Sequence, residues 1–346
     1  MLNKTQDEIT KKWPLGWNEP AVTIRCAVYN HEDYISKALD SFLMQETNFP
    51  FEIFVHDDAS TDNSAVIIQK YAENFPDIVK PVLEIENQYS KENGSLKKIM
   101  WSPKFNRGKY IALCEGDDYW TDPLKLQKQF DFLEQHTDYS FVTCATNVID
   151  ETGTFIENNN RYLSKLYGEN VEIKNVNEYC DLPHTSSYFF KNFFHKDFAS
   201  FQGKFEKNYQ YYKGWDKSLC LFLLSMGKMF YLADTMSCYR FVKEGKNNWT
   251  SLKNTVNKTK TIAAVETAMQ IQVKEYGFNF NIKPHFYRNV FMYSALYFAR
   301  KRTFEDFKLL LYAIKVCPNK INFLFWVLKN RPRTLNLIKM IKERII

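Results

Sequence analysis

The chain has 346 residues, of which 45% are hydrophobic and 16% aromatic. This length and apolar content allow one large domain or two smaller ones with a full core, and they exclude a disordered or fibrous protein. The net charge is +6, from 46 basic and 40 acidic residues. Such a mild excess of positive charge is compatible with an anionic ligand or membrane surface, and equally with an ordinary solvated surface. We expect no nucleic-acid partner.

The seven cysteines are far apart in the sequence and form no C-x-x-C pair. This spacing argues against a zinc ribbon or a thiol redox motif and favours a reducing compartment. The N-terminal stretch MLNKTQDEITKKW is polar, and no apolar run approaches the ~20 residues that span a bilayer. We therefore expect a cytoplasmic protein, in which any membrane contact is peripheral and at the inner face.

Strand-like and helix-like segments alternate in the first half of the chain. Apolar, β-rich runs predict strands at 21–29, 51–56, 79–85, 110–114 and 141–147. Helical spacing of apolar residues predicts helices at 34–45, from about 62 to 74, and after the pair Asp122-Pro123. This alternation predicts an α/β fold with a mostly parallel, Rossmann-like central sheet and flanking helices.

The second half is less regular. The polar, Asn-rich stretch 151–180 predicts a variable loop region, and short strands are expected at 186–190, 228–232 and 237–241. A helix is expected at 216–226, and the pattern is helical from about residue 254 to the end. We accordingly predict an N-terminal extension at 1–20, a catalytic domain at 21–245 and a C-terminal helical region at 246–346.

Acidic residues directly follow two of the predicted strands. Asp57 and Asp58 follow the second strand, and Glu115, Asp117 and Asp118 follow the run at 110–114. Ligands of parallel α/β sheets bind at this edge, beyond the carboxyl ends of the strands. Such carboxylates can hold a hard divalent cation or act as an acid/base pair; the structural alternative is an exposed acidic loop that caps the next helix.

Common phosphate-binding loops are missing from the sequence. There is no G-x-x-x-x-G-K-[ST] motif, and no G-x-G-x-x-G follows the first strand. This argues against a P-loop kinase or ATPase and against a dinucleotide-binding dehydrogenase. A bound phosphate would therefore need a metal ion and basic side chains.

Four blocks of sequence resemble the family 2 glycosyltransferases, which are inverting enzymes of the GT-A fold that use nucleotide-sugar donors. The resemblance runs from about Val22 to Arg240. The blocks occur in the order that the family has, as CAVYNHEDYISKALDSFLMQ, HDDASTDNS, GKYIALCEGDDYWTDPLKLQKQ and GWDKSLCLFLLSMGKMFYLADTMSCYR. Each block alone is weak evidence, whereas all four in order are specific.

The resemblance implies roles for residues on the donor side. Tyr29 and Asp58 match the residues that hold the nucleotide base, and Ala27 occupies a neighbouring position in the same site. Asp117 matches the carboxylate near the ribose. Asp117 and Asp118 together match the residues that bind Mn²⁺ or Mg²⁺. Glu115 stands where many members have Asp.

Other matches concern the reaction and the diphosphate. Asp216 matches the general base of the family. A direct displacement needs the base on the side opposite the leaving diphosphate, so the base must come from a distant part of the chain. The alternative is that Asp216 only caps the N-terminus of a helix. Many members place a histidine shortly after the Tyr-Arg pair, but this chain has Phe-Val-Lys there, so the resemblance leaves Arg240 or Lys243 to contact the diphosphate.

Three further residues are candidates for the acceptor side. His184 lies where related members place residues that line this side, although a buried structural histidine is the alternative. Trp120 and Trp215 stand beside acidic residues and could stack on sugar rings, or else pack in the core.

The C-terminal stretch mixes large apolar residues with Lys and Arg. It predicts helices that dock on a membrane carrying a lipid-linked acceptor, or that pack against the catalytic domain or a homodimer partner.

Together the residues and the resemblance predict a metal-dependent inverting transferase. It would move a sugar from a nucleotide-sugar donor, expected to be a UDP-sugar, to a hydroxyl of a glycan or lipid-linked acceptor in surface polysaccharide synthesis. The alternatives are a sugar nucleotidyltransferase and an inactive glycan- or nucleotide-binding module on the same fold.

Overall fold

The computed structural model describes residues 4–89, 91, 102–158, 170–171, 183–193 and 215–241. The chain divides into two compact units, and all of these residues except 215–225 belong to the first unit. The predicted helical region at 246–346 lies outside the described residues. Among those that are described, no helix has the length and apolar character needed to cross a membrane.

One mixed sheet dominates the first unit. Its central strands run in the order β3-β2-β1-β4-β9-β6-β10-β5, with β7 paired to β6 and β8 paired to β10. The strands are β1 (Val22–Val28), β2 (Phe51–Asp57), β3 (Val79–Leu83), β4 (Tyr110–Leu113), β5 (Tyr119–Trp120), β6 (Tyr139–Ile149), β7 (Phe155–Asn158), β8 (Asn170–Val171), β9 (Phe189–Lys191) and β10 (Lys228–Arg240).

The described helices are α1 (Gln6–Thr10), α2 (Ile35–Leu43), α3 (Ser64–Asn74), α4 (Lys125–Gln135) and α5 (Trp215–Met226). Short 3₁₀ helices occupy Pro103–Phe105 and Thr185–Ser187. The α/β fold and the order of its elements are confirmed. The main difference is that the two short strands expected at 228–232 and 237–241 form one strand, β10, with register irregularities between Leu232 and Ser237.

Strands β3, β2, β1 and β4 run parallel to one another, as predicted. Strand β9 is antiparallel to both β4 and β6, so the sheet is mixed rather than parallel throughout. Every residue of β2, and all but Ala27 of β1, is buried. This burial explains why both strands read as nearly continuous apolar runs: the sheet is covered on both faces there.

The parallel arrangement brings the ends of three strands together. The Asp58 N–H donates to the carbonyl of Val28 at 2.9 Å, and the Gly116 N–H donates to the carbonyl of Ala27 at 2.9 Å. The loops that follow β1, β2 and β4 therefore start beside one another, at the sheet edge where the sequence predicted a ligand.

Residues 4–20, predicted as an N-terminal extension, pack against the core of the first unit. Helix α1 begins with a reciprocal capping box between Thr5 and Glu8. Beyond it, Trp13 is buried, contacts Trp17 and Phe51 at ring-centroid distances of 5.1 Å each, and donates from Nε1 to Thr47 Oγ1 at 2.9 Å.

We predict that Trp13→Ala lowers the free energy of unfolding by about 3 kcal/mol, because it leaves a cavity beside Phe51 and leaves the buried Thr47 hydroxyl without its donor. Urea unfolding followed by circular dichroism measures the change. Leu15→Ala is the control: Leu15 is in the same segment but fully exposed, and its substitution should cost less than about 0.5 kcal/mol. Equal effects of the two substitutions would contradict the packing described here.

Candidate active site

The loops after β1 and β2 interlock through side chain–backbone hydrogen bonds. Asn30, in a left-handed conformation with φ of 56°, donates its N–H to Ser60 Oγ at 2.9 Å, and its Oδ1 accepts the Thr61 N–H at 2.8 Å. Next to it, the His31 N–H donates to Ser64 Oγ at 2.9 Å. The short polar residues of HDDASTDNS therefore fix the first loop against the second.

Asp58, the predicted base-binding residue, is 5% exposed and already has protein partners. Its two carboxylate oxygens accept the backbone N–H groups of Gln88 at 2.6 Å and of Tyr89 at 3.0 Å. It thus orders the turn after β3, which the sequence analysis did not include in the site. Because a carboxylate has about four acceptor positions, Asp58 can still accept from a ligand. Tyr29 is 37% exposed at the same edge, where Ala27 is half-buried.

The acidic turn after β4 is held tightly against the end of β1. The Asp118 N–H donates to the carbonyl of Glu115 at 3.1 Å and closes the turn. A Cβ on Gly116 would lie 2.9 Å from both His31 Nδ1 and Val28 Cγ2, so a side chain here would displace the turn or its neighbours. This close approach is the physical reason for a glycine between Glu115 and the two aspartates.

Asp118 is 2% exposed and only partly satisfied. Its Oδ1 accepts the backbone N–H of Arg240 at 2.9 Å, whereas its buried Oδ2 has no hydrogen-bond partner among the described residues. Burial raises the pKa of Asp118 well above its ordinary value, the charges of Asp117 and Glu115 raise this pKa further, and the Arg240 N–H opposes the rise. The ionised carboxylate therefore requires a positive partner.

The neighbouring Asp117 has an orphaned atom of its own: within the same set of residues, its buried Oδ1 has no partner either. The described part of the chain contains no group of three or more His, Cys, Asp or Glu side chains arranged as a self-contained metal site. A site for Mg²⁺ or Mn²⁺ that shares its ion with a substrate phosphate needs only one or two protein carboxylates. The residues present thus fit a shared cation.

Arg240, expected to contact a diphosphate, uses its side chain for contacts within the protein. Its Nε donates to the carbonyl of Asp117 at 3.0 Å, and its Nη1 donates to the carbonyls of Asp150 at 3.0 Å and Glu151 at 3.1 Å. The guanidinium also lies over the Tyr34 ring, 4.4 Å from its centroid. Arg240 therefore joins the acidic turn to the hairpin between β6 and β7.

Two histidines flank the acidic turn. His184 Nδ1 lies 3.6 Å from Asp118 Oδ2, and burial lowers the pKa of His184 to about 3. On the other side, His31 Nε2 lies 3.9 Å from Asp117 Oδ2. Sequence reasoning missed His31 as a site residue, although its position two residues after Tyr29 in the first block was a usable signal.

The two tryptophan candidates have different outcomes. Trp120 is 1% exposed; it packs on Phe42, lies under Lys125 Nζ and donates from Nε1 to the carbonyl of Ser186. The sugar-stacking prediction for Trp120 is therefore wrong, because the ring is a core residue with no face open to a ligand. Trp215 and Asp216 begin helix α5 in the second unit, and their side chains lie outside the described residues.

We predict that Arg240→Ala lowers the free energy of unfolding by about 3 kcal/mol, because the carbonyl groups of Asp117, Asp150 and Glu151 lose their shared donor. Chemical unfolding monitored by fluorescence measures it. Lys228→Ala is the matched control at the other end of β10, where the ammonium pairs with Asp138 at 2.7 Å between half-exposed side chains, and it should cost less than about 1 kcal/mol. Unchanged stability in Arg240→Ala, together with lost nucleotide binding, would instead assign the side chain to a ligand.

Comparison with known proteins identifies the family. The model of glycosyl transferase family 2 matches residues 24–198. Protein Rv1520 of Mycobacterium tuberculosis is 45% identical over 125 residues, which are 36% of this chain and 35% of that protein. The Escherichia coli enzyme WfaP, named as a UDP-Glc:alpha-D-GlcNAc-diphosphoundecaprenol beta-1,3-glucosyltransferase, is 32% identical over 138 residues, 39% of this chain and 50% of that enzyme. The matches thus span a third to a half of these relatives.

The fold has counterparts among solved structures. The structure of S. aureus TarS residues 1–349 aligns with a TM-score of 0.55 and 14% identity, covering 93% of this chain and 90% of that one. The same protein in complex with UDP-GlcNAc aligns with a TM-score of 0.54. Since the family model matches residues 24–198, half of the chain, the chain belongs to glycosyl transferase family 2.

Proposed function

We propose that the protein is a metal-dependent inverting glycosyltransferase that uses a UDP-sugar and a glycan or lipid-linked acceptor in surface polysaccharide synthesis. The observation that carries this proposal is the Asp118 carboxylate, which is buried at a sheet edge with one oxygen held by a backbone N–H and the other left open. Family membership supports sugar transfer, and the name of WfaP, which specifies UDP-Glc and a diphosphoundecaprenol-linked acceptor, supports the choice of donor and acceptor.

The donor would lie along the edge formed by the loops after β1, β2 and β4. In this proposal Tyr29, which is 37% exposed, contacts the base, Asp58 accepts from the base with its free acceptor positions, and Asp117 contacts the ribose. Asp118 and Asp117 would hold Mn²⁺ or Mg²⁺ with their open oxygens. Such an ion offsets negative charge on a departing diphosphate.

The acceptor hydroxyl needs a base on the face of the sugar opposite the diphosphate, because direct displacement inverts the anomeric carbon. We assign this role to Asp216 in the first turn of α5. A positioned carboxylate that removes the hydroxyl proton contributes on the order of 10²–10⁴-fold to the rate. Trp215 next to it would pack against the acceptor sugar.

Asp118→Asn should abolish sugar transfer and weaken the binding of Mn²⁺, because the amide keeps the acceptor for Arg240 N–H but loses the negative charge that would hold the ion. Release of UDP from candidate UDP-sugars, measured with Mn²⁺ and with EDTA, provides the assay, and wild-type release should disappear in EDTA.

The control for this experiment is Asp138→Asn, which alters an exposed carboxylate remote from the acidic turn and should leave turnover unchanged. Undiminished UDP release by the wild type in EDTA would contradict the metal-dependent mechanism.

Asp216→Asn should reduce transfer by on the order of 10²-fold or more while sparing the affinity for UDP, because a base acts on the acceptor and not on the donor. Turnover and UDP affinity, the latter by calorimetry, are measured on the same preparation. Asp234→Asn, a change of a half-exposed carboxylate on β10, is the control. A loss of UDP affinity that accounts for the whole loss of rate would remove the base role.

A further inference from the structure

The atoms that face each other between Asp118 and His184 are both electron-rich. Asp118 Oδ2 is buried and lies 3.6 Å from Nδ1 of His184. This separation is too long for a hydrogen bond. A buried carboxylate oxygen that faces a ring nitrogen without a proton between them requires a positive charge nearby.

The protonation state of His184 follows from its local contacts. Nδ1 accepts the backbone N–H of Ser186 at 3.3 Å and lies 2.8 Å from the Ser186 hydroxyl, so Nδ1 carries a lone pair and not a proton. The acceptor nitrogen of His184 therefore lies 3.6 Å from the open oxygen of Asp118, with no hydrogen bond between the two atoms.

The ring of His184 is also held in place. It packs against the Tyr239 ring, with ring centroids 3.9 Å apart and the planes tilted by 31°, and it caps the 3₁₀ helix that leads into β9. Tyr239 precedes Arg240, whose N–H holds the other oxygen of Asp118. The contact with Tyr239 and the hydrogen bond from Arg240 thus hold imidazole and carboxylate next to each other, as a pre-organised pair of ligand atoms.

We propose that His184 Nδ1 binds the same divalent cation as Asp118, so that this histidine belongs to the donor side of the site and not to the acceptor side. The inference rests on the proposed function, because it takes the cation from there. Two atoms 3.6 Å apart can both contact an ion whose bonds are about 2.1 Å long. In the metal-bound state Nδ1 would exchange the long Ser186 N–H contact for the ion, and the contact with the Tyr239 ring would keep the imidazole in place.

A nitrogen ligand makes a specific prediction about metal preference. Imidazole binds first-row transition metals more tightly than Mg²⁺, and it binds Co²⁺ more tightly than Mn²⁺. His184→Asn replaces the nitrogen with an oxygen that can still cap the 3₁₀ helix. We expect this variant to lose on the order of 10-fold in Co²⁺ affinity, less in Mn²⁺ affinity and least in Mg²⁺ affinity, by calorimetry in the presence of UDP.

A spectroscopic readout tests the contact without turnover. Electron spin echo modulation of Mn²⁺ bound with UDP should show coupling to a directly bound ¹⁴N in the wild type, and this coupling should disappear in His184→Asn. His31→Gln is the matched control, because it removes the other imidazole next to the acidic turn, and there the coupling should persist.

The outcomes separate the two proposals. If the wild type binds Mn²⁺ without ¹⁴N coupling, or if His184→Asn weakens all three metals equally, the ligand role of His184 is overturned and the metal-dependent transferase stands. If the coupling is lost in His31→Gln instead, the ligand is the other histidine. If the wild type binds no Mn²⁺ with UDP, the metal dependence in the proposed function fails as well.

Discussion

Burial of the Asp118 carboxylate is the constraint on which the rest of the site depends. An ionised carboxylate removed from water loses several kcal/mol of hydration, and a single N–H bond replaces only part of it. The surroundings maintain this unfavourable position: β10 delivers the Arg240 N–H, the Arg240 guanidinium holds the turn by the carbonyl of Asp117, and Gly116 lets the turn lie against β1. The large apolar core of the sheet offsets the cost, as is usual where a fold keeps a group ready for a ligand.

The parts of the fold that could be predicted are those with a local signal. Apolar residues dominate strands β1 and β2 because both faces of the sheet are covered there, and α2 shows its buried face in the spacing of Ile35, Leu39 and Phe42. The position of the acidic residues at strand ends also followed from the sequence, because carboxyl ends of parallel strands meet at one edge. These features depend on neighbours within about ten residues.

Features that the sequence did not reveal depend on contacts between distant residues. Asp58 looks like a turn residue, yet its carboxylate orders backbone about 30 residues away, at Gln88 and Tyr89. Strand β10 was expected as two pieces because polar residues interrupt its apolar pattern; the interruption marks register shifts against β6 rather than a break. Trp120 stands beside aspartates but is in the core, since β5 alternates sides at this point.

The interlocked loops after β1 and β2 have a consequence for protein engineering. Because Asn30 and His31 find their partners in Ser60, Thr61 and Ser64, neither loop is a self-contained module. A chimaera that takes only one of these loops from a homologue would leave polar groups without hydrogen-bond partners where the two loops meet. An exchange of these loops between relatives should therefore use both segments from the same parent.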